Sequence, residues 1–337
     1  YEKKHELNFG IDAGFLNNRI NFTFDIYSRR NYDLIGVINT QGTGGEPRKY
    51  GNVAKMKSNG VEIALNTVNI KTKDFTWTTD LIYSHMHNEV TELNTLNRMY
   101  DYISGSGFTM PGYPQRSLFS IPFMGLNNEG LPTFLDQDGN VSVTGINMQE
   151  YDPERLKFLK YEGPVDPTDV GSLGNVFRYK GVTLNLFITY SFGNVVRLDP
   201  VFSSSYSDLT ATPKEFKDRW VKPGDENFTN VPVIASKQQL NNIAYLSTAY
   251  QAYNYSTERV AKGDFIRMKE ISLGYEFPKS ITQPLRLSNL SLKLMATNLF
   301  LIYADKKLNG QDPEFFNAGG VANPMPKQFT LTLKLGI

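Results

Sequence analysis

A two-residue alternation of apolar and polar side chains recurs along this chain and constrains its fold more than any other feature. In the segment 182–192, Val182, Leu184, Leu186, Ile188 and Tyr190 share one face, whereas Thr183, Asn185, Phe187 and Thr189 occupy the other. This period is typical of β-strands with two unlike faces. No charged residue falls on the apolar face of any of the alternating windows, which are 7–15, 20–26, 61–65, 75–83, 182–192, 271–277, 290–296 and 329–337.

Composition narrows the choice of fold class further. The 337 residues have a mean hydropathy of −0.36 and contain no run of about 18 apolar residues, which excludes a transmembrane helix. A transmembrane β-barrel stays open, because its alternating strands average out as polar. There are no cysteines, so disulfides and thiolate metal sites are excluded. With a net charge of +1, the chain lacks the excess of positive charge on which nonspecific nucleic-acid binding depends.

The lengths of the connections favour a barrel over a soluble sandwich. Short links alternate with long loops, as they do in transmembrane barrels, and several windows are about ten residues long, which is enough to cross a membrane. We expect about nine to eleven antiparallel strands, with one crossing near 171–178 that turns at Tyr179-Lys180-Gly181. The long extracellular loops are predicted at about 31–57, 87–170, 194–262 and 304–325.

An open sheet edge is costly in lipid, because each unpaired backbone group costs several kcal/mol. The strands of this chain are therefore expected to join further strands of a longer polypeptide. If the long loops face outward, the last strand ends on the periplasmic side. Arg267 and Lys269 fall in phase with the apolar residue Ile271, and we interpret them as lying at the outer rim, above the lipid.

Three blocks of the sequence resemble the SusC/RagA family of TonB-linked outer-membrane transporters. The first block is LNFGIDAGFLNNRINFTFDIYSRRNYDLI followed by GNVAKMKSNGVEIALNT, and the second is RWVKPGDENFTNVPV at 219–233. The third begins with YNYSTERVAKGDFIRMKEISLGYEFP at 253–278 and continues through LSNLSLKLMATNLFLIY, DPEF at 312–315 and PMPKQFTLTLKLGI. Their order and spacing match from end to end, so the resemblance covers essentially the whole chain.

The resemblance implies a nutrient importer of the cell outer membrane that performs no chemistry. It implies a 22-stranded barrel, of which this chain is roughly the C-terminal half, filled by a plug domain that is expected, with the TonB box, outside these residues. A SusD-like surface lipoprotein would close the top as a lid. TonB–ExbB–ExbD would supply energy through the plug. Oligosaccharides and peptides both remain open as substrates.

Aromatic residues in the predicted outer loops are the candidates for contact with substrate or lid. Rings stack on sugars and fill protein interfaces alike, so loop cores, lid contacts and substrate contacts all remain possible. We interpret Trp220 primarily as a structural residue rather than a ligand contact, and place it on a short helix predicted at 213–221. The candidates are Tyr100, Tyr102, Phe108, Tyr113, Tyr206, Trp220, Tyr245, Tyr250, Tyr253 and Tyr255.

The sequence gives little support for a metal, cofactor or catalytic site. The segment 136–140, DQDGN, lacks the later ligands of a calcium loop and is predicted to be a turn. His85 and His87 share a strand face but have no third ligand nearby in sequence. The alternatives to an importer are an outer-membrane barrel enzyme, for which only three histidines are available, and a soluble carbohydrate-binding β-sandwich.

Overall fold

The computed structural model describes residues 1–40, 43–95, 97–104, 107–202, 214–315 and 326–337. Strands dominate it, and the helices are few and short. The strands are β1 (Lys3–Phe15), β2 (Ile20–Asn39), β3 (Arg48–Lys71), β4 (Phe75–Leu93), β5 (Ser117–Ser120), β6 (Phe123–Leu126), β7 (Pro132–Leu135), β8 (Val141–Ser142), β9 (Lys160–Pro164), β10 (Asp169–Tyr179), β11 (Val182–Phe192), β12 (Val195–Arg197), β13 (Val260–Lys262), β14 (Phe265–Glu276), β15 (Asn289–Ala304) and β16 (Gln328–Gly336). The α-helices are α1 (Met99–Ile103), α2 (Lys237–Asn242), α3 (Leu246–Asn254) and α4 (Lys279–Thr282).

Nine of the strands form one sheet in the order β1-β2-β3-β4-β10-β11-β14-β15-β16. Every neighbouring pair in it is antiparallel. The sheet therefore follows chain order, and the small strands β5–β9, β12 and β13 lie in its long connections. The number of strands and the antiparallel fold class predicted from the sequence are confirmed, and β10 is the crossing expected near 171–178.

The tight turns lie at one end of this sheet and the long connections at the other. Between β1 and β2, Leu16, Asn17 and Asn18 all have positive φ; between β10 and β11, Lys180 and Gly181 have φ of 43° and 87°. Two successive left-handed residues are characteristic of the tight hairpin turn whose twist matches that of its strands. The predicted loop 31–57 is mostly a paired arm, because β2 continues to Asn39 and β3 begins at Arg48. Likewise, β4 extends to Leu93, into the predicted loop 87–170.

The apolar face of the sheet is not the core of the described structure. Leu331 on β16 is 68% exposed, and neither Phe22 on β2 nor Leu186 on β11 is buried. The same face carries further exposed apolar side chains on both outer strands and in the middle, among them Phe9, Ile11, Leu273, Leu294, Phe329 and Leu333. A sandwich would bury this face against a second layer, and so the predicted barrel wall, rather than the soluble alternative, describes this sheet.

The apolar band also reveals the tilt of the strands. One row of directly paired residues runs across the sheet from Phe15, at the turn end of β1, to Phe329, near the loop end of β16. A band of apolar side chains at one height in the membrane must therefore cross these rows of paired residues obliquely. This is the geometry of strands that are tilted in a barrel. The row is Phe15, Ile20, Thr67, Thr79, Asn175, Leu186, Ile271, Ala296 and Phe329.

A small polar network interrupts the apolar face. The Asn175 side-chain oxygen accepts hydrogen bonds from Trp77 Nε1 at 2.9 Å and from Thr79 Oγ1 at 2.8 Å. Asn69 Nδ2 donates to Thr79 Oγ1 at 2.7 Å. Since an unsatisfied polar group in hydrocarbon costs several kcal/mol, this mutual pairing explains how amide and indole groups can occupy the outward face.

The interpretation of Arg267 and Lys269 as residues in apolar phase is wrong. A β-bulge lies at Lys269, since Glu270 pairs with Phe187 and Met268 with Ile188. An extra residue in one strand reverses the alternation beyond it. Met268 therefore joins the outward face, and Arg267 turns inward and is buried.

The principal hydrophobic core lies in the two connections β4–β10 and β11–β14, which together form what we call the loop layer (described residues 94–168 and 193–264). Its buried residues come from both connections: Met99, Ile103, Ile121, Leu131, Phe134, Ile146, Met148, Leu156, Val201, Phe202, Phe216, Leu246, Ala249, Tyr250, Ala252 and Tyr253. The two longest predicted loops thus fold together into one packed unit. No helix within the described residues is long and apolar enough to cross a membrane.

Candidate functional site at the loop end of the sheet

Helix α3 anchors the loop layer through two of the candidate rings. Tyr253 is fully buried, with its ring centroid 5.5 Å from Phe123 and 5.6 Å from Phe202. Burial raises the pKa of the Tyr253 hydroxyl far above its ordinary value. The Tyr250 hydroxyl donates to the Val233 carbonyl at 2.6 Å. Both rings therefore hold the loop layer together, and neither offers an open face.

The side chain of Asn254 at the end of α3 ties the two halves of the β11–β14 connection together. Its Oδ1 accepts hydrogen bonds from the backbone N–H groups of Val201 at 3.0 Å and Phe202 at 3.2 Å. Its Nδ2 donates to the Phe202 carbonyl at 2.8 Å. An amide group can satisfy both backbone donors and an acceptor, so this buried residue fixes the path of the chain next to the aromatic core.

Trp220 is a structural residue, as the sequence suggested. It follows a 3-10 helix at Lys214–Asp218, shorter than the helix predicted at 213–221, whose first residue lies outside the described part of the chain. The buried indole Nε1 donates to Glu226 Oε2 at 2.9 Å, and this bond lowers the pKa of Glu226. Gly130 lies against the ring with φ of 74°, and a Cβ there would come within 2.4 Å of it. Only glycine suits this contact.

Three further candidate rings, Tyr102, Phe108 and Tyr113, form an aromatic cluster with Phe119 and Tyr161. Tyr102 meets Phe108 at 4.8 Å between centroids and Phe119 at 6.1 Å, while Tyr113 meets Phe119 at 5.1 Å and Tyr161 at 4.8 Å. Burial raises the pKa of the Tyr102 and Tyr161 hydroxyls. We call these five rings the aromatic cluster; because Tyr102, Phe108 and Tyr113 keep partly exposed faces, they suit contact with a ligand or partner.

A separate aromatic pair lies beside a partly buried arginine. Tyr100 and Tyr255 meet edge to face at 5.9 Å, and the Arg197 guanidinium lies 5.9 Å from the Tyr255 ring centroid. Burial raises the pKa of Tyr255 to about 12 and lowers that of Arg197 to about 10. Arg197 donates to the Phe119 carbonyl at 2.6 Å and to Ser120 Oγ at 3.0 Å, so it joins both aromatic groups.

Arg197 gave no signal in the sequence, because its role depends on carbonyl groups of segments that are distant along the chain. Two of its three partners lie in the other connection, on β5, and the third is the Ser256 carbonyl at 3.1 Å. Of the other candidates, Tyr245 is 74% exposed at the start of α3, and Tyr206 lies outside the described residues.

Below the loop layer, the buried Arg267 joins the DPEF motif at 312–315. Its guanidinium forms ion pairs with Asp312 and, at 3.1 Å from Nε, with Glu314 Oε2. The Arg267 and Asp312 side chains are both buried. A buried charge needs such a partner, so the motif and the bulged strand β14 form one structural unit.

The other polar motifs form local structure. Asp136 Oδ1 accepts hydrogen bonds from the N–H groups of Asp138 and Asn140, and Gly139 has φ of 80°, so DQDGN is the predicted turn. His85 Nδ1 lies 2.8 Å from Asp169 Oδ1, and His87 lies two residues further along β4. Across the described ranges, no three His, Cys, Asp or Glu residues form a group that could hold a metal ion.

Comparison with known proteins places this arrangement in context. No protein-family model matches the chain. TonB-dependent receptor P39 of Formosa agariphila is 26% identical and matches 96% of this chain and 34% of its own length. TonB-dependent receptor SusC of Bacteroides thetaiotaomicron is also 26% identical, over all of this chain and 32% of the receptor.

Solved structures of the RagAB peptide transporter share the fold. One matches 99% of this chain with a TM-score of 0.73 at 24% identity, and the importer in its "open-open" state matches all of it with a TM-score of 0.74 at 22% identity. The chain spans about a third of the length of the relatives it matches. The predicted resemblance to the SusC/RagA family, the barrel fold and the outer-membrane location are thereby confirmed.

Proposed function

We propose that this chain forms the C-terminal part of the barrel of a TonB-dependent outer-membrane importer of oligosaccharides or peptides. The observation that carries the proposal is the combination of an outward apolar face on a tilted nine-stranded wall with a folded, ring-rich layer over its loop end. The similarity to receptors and to a peptide transporter, rather than to enzymes, supports transport without chemistry.

The wall and the loop layer have separate tasks in this proposal. The wall closes with strands of the rest of the polypeptide, whose plug couples the barrel to TonB–ExbB–ExbD. The loop layer forms the mouth, where the partly exposed rings Tyr102, Phe108 and Tyr113 meet the substrate. Rings suit sugar faces and peptide side chains equally, so the substrate class remains a choice between these two.

Uptake by living cells tests the importer. A strain lacking the full-length gene should fail to grow on an oligosaccharide or peptide that is too large for porins. Growth should return with the gene and disappear again when TonB is deleted. Growth that needs neither the gene nor TonB would contradict the proposal, and the nutrient that supports growth would identify the substrate class.

The proposed lid is a SusD-like lipoprotein that rests on the loop layer. Exposed apolar side chains favour protein contacts, and the segment 221–245 carries several, including Phe228 at 91% exposure, Val221 and Tyr245. Replacing Phe228 and Tyr245 together with Asp should weaken recovery of the lid in a pull-down from membranes. Leu285→Asp, an exposed apolar residue at the turn end of the sheet, is the matched control; equal recovery in both variants would argue against this surface.

A further inference from the structure

Three basic side chains form a row on the outward face near the loop end of strands β1, β2 and β3. His5 pairs directly with Arg30, and Arg30 pairs directly with Lys57. Each keeps the phase of the apolar face below it, and all three are exposed. We call His5, Arg30 and Lys57 the basic row.

Within the described residues, a carboxylate balances the charge of Lys57 but not that of Arg30. Like charges directly opposite each other on a sheet are destabilising, yet Arg30 faces Lys57. Lys57 has a carboxylate neighbour, Glu89, at 2.9 Å. Glu89 is the residue directly opposite Lys57 on β4, so the row of basic residues ends there, and Arg30 is left without a carboxylate partner among the described residues. An anion beside Arg30, within reach of Lys57, would balance this remaining charge.

The height of the row fits the headgroup region of a bilayer. Arg30 lies four residues beyond the apolar Ile26 on β2, and Lys57 lies four residues from the apolar Val61 on β3. At a rise of about 3.3 Å per residue on a strand tilted by about 40°, this places the charges roughly 10 Å above the edge of the apolar band. Basic side chains at this height attract anionic headgroups, and a guanidinium group binds phosphate oxygens in pairs.

We propose that the basic row binds the phosphate group of a phosphorylated glycolipid in the outer leaflet of the outer membrane. Arg30 supplies a planar pair of donors, Lys57 supplies an ammonium group on the next strand, and His5 borders the site. The acyl chains of the same lipid would lie on the apolar rows below, at Leu7, Ile26 and Val61. The inference rests on the orientation in the proposed function, with the loop end facing outward.

Lipid retention by the full-length protein tests this inference. The protein is reconstituted in phosphatidylcholine nanodiscs with monophosphoryl lipid A, or with the same lipid after removal of its phosphate, and bound lipid is measured by native mass spectrometry. We expect the phosphorylated form to bind about tenfold more tightly, the effect of one charge-assisted hydrogen bond. Arg30→Gln and Lys57→Gln should each remove most of that preference.

Arg178→Gln is the control for the loss of a surface arginine, because Arg178 is exposed on the inward face of β10, at the turn end and away from the basic row. It should leave the preference unchanged, and millimolar inorganic phosphate should not displace the lipid. Equal binding of the two lipids by the unaltered protein, or displacement by free phosphate, would overturn the inference. Loss of the preference in Arg178→Gln would show that the effect does not depend on the basic row, and would also overturn the inference. The uptake assay tests the importer separately.

Discussion

Replacing Leu186 with Arg should block assembly of the barrel, whereas Asn185→Arg should be tolerated. Leu186 lies near the middle of β11 on the outward face, and neither of its paired neighbours, Asn175 and Ile271, carries a charge. Arginine facing lipid near the midplane costs about 2–4 kcal/mol, which lowers the folding equilibrium constant roughly 30- to 700-fold.

The neighbouring position offers the opposite environment. Asn185 faces inward, and its Nδ2 donates to Glu270 Oε1 at 3.1 Å. An arginine at 185 would meet that carboxylate in the polar interior, where an ion pair replaces the hydrogen bond. The same substitution in adjacent residues therefore has different expected outcomes because the side chains point to different faces.

Folding of the purified full-length protein into lipid vesicles, followed by urea titration and by the mobility of the unboiled protein on gels, measures the difference. We expect Asn185→Arg to fold with nearly the stability of the unaltered protein and Leu186→Arg to lose at least 2 kcal/mol or to fail to insert. Equal losses for the two variants would refute the assignment of the faces.

Three further predictions concern the loop layer and the strand beneath it. Gly130→Ala should lower loop-layer stability by about 1–3 kcal/mol, because its Cβ would overlap the Trp220 ring; limited proteolysis should show faster cleavage, with the barrel intact. Arg267→Ala should destabilise by about 3–5 kcal/mol by leaving the buried Asp312 without its cationic partner, and Asp312→Ala added to it should restore part of the loss in urea titrations. The folded-state pKa of Glu226 is lowered, so the stability that ionised Glu226 contributes is present above the ordinary glutamate pKa and is lost as the pH falls through the lowered pKa. The fluorescence of Trp220 should therefore change on acidification, and Glu226→Gln should reduce this change.

The wall could be predicted from the sequence because its physics is local. In windows such as 182–192, the alternation alone fixes which face meets lipid, and the turn at Lys180-Gly181 needs only residues that accept positive φ. The phase of Arg267 was assigned incorrectly because a bulge is set by cross-strand pairing, which a single strand does not reveal. The sequence likewise did not show which strand pairs with β4, because a long connection separates β4 from its partner β10.

The loop layer could not be predicted in the same way. Its core combines residues from two connections separated by a hairpin, as the contacts of Tyr253 with Phe123 and Phe202 illustrate. The sequence identified the rings, and it correctly favoured a structural role for Trp220. It could not separate the buried Tyr250 from the half-exposed Tyr113, because burial there depends on long-range packing rather than on periodicity.

The central claim, that the apolar rows meet hydrocarbon, is tested most directly by site-directed spin labelling of the full-length protein in vesicles. This chain has no cysteine, so single cysteines can be placed at Leu186 and Leu331 and, as inward controls, at Asn185 and Thr330, in a background free of other cysteines. We predict that labels at 186 and 331 are accessible to oxygen dissolved in the bilayer and shielded from a water-soluble nickel chelate, and that the inward labels lack this signature. Shielding of labels 186 and 331 from both reagents would contradict the account.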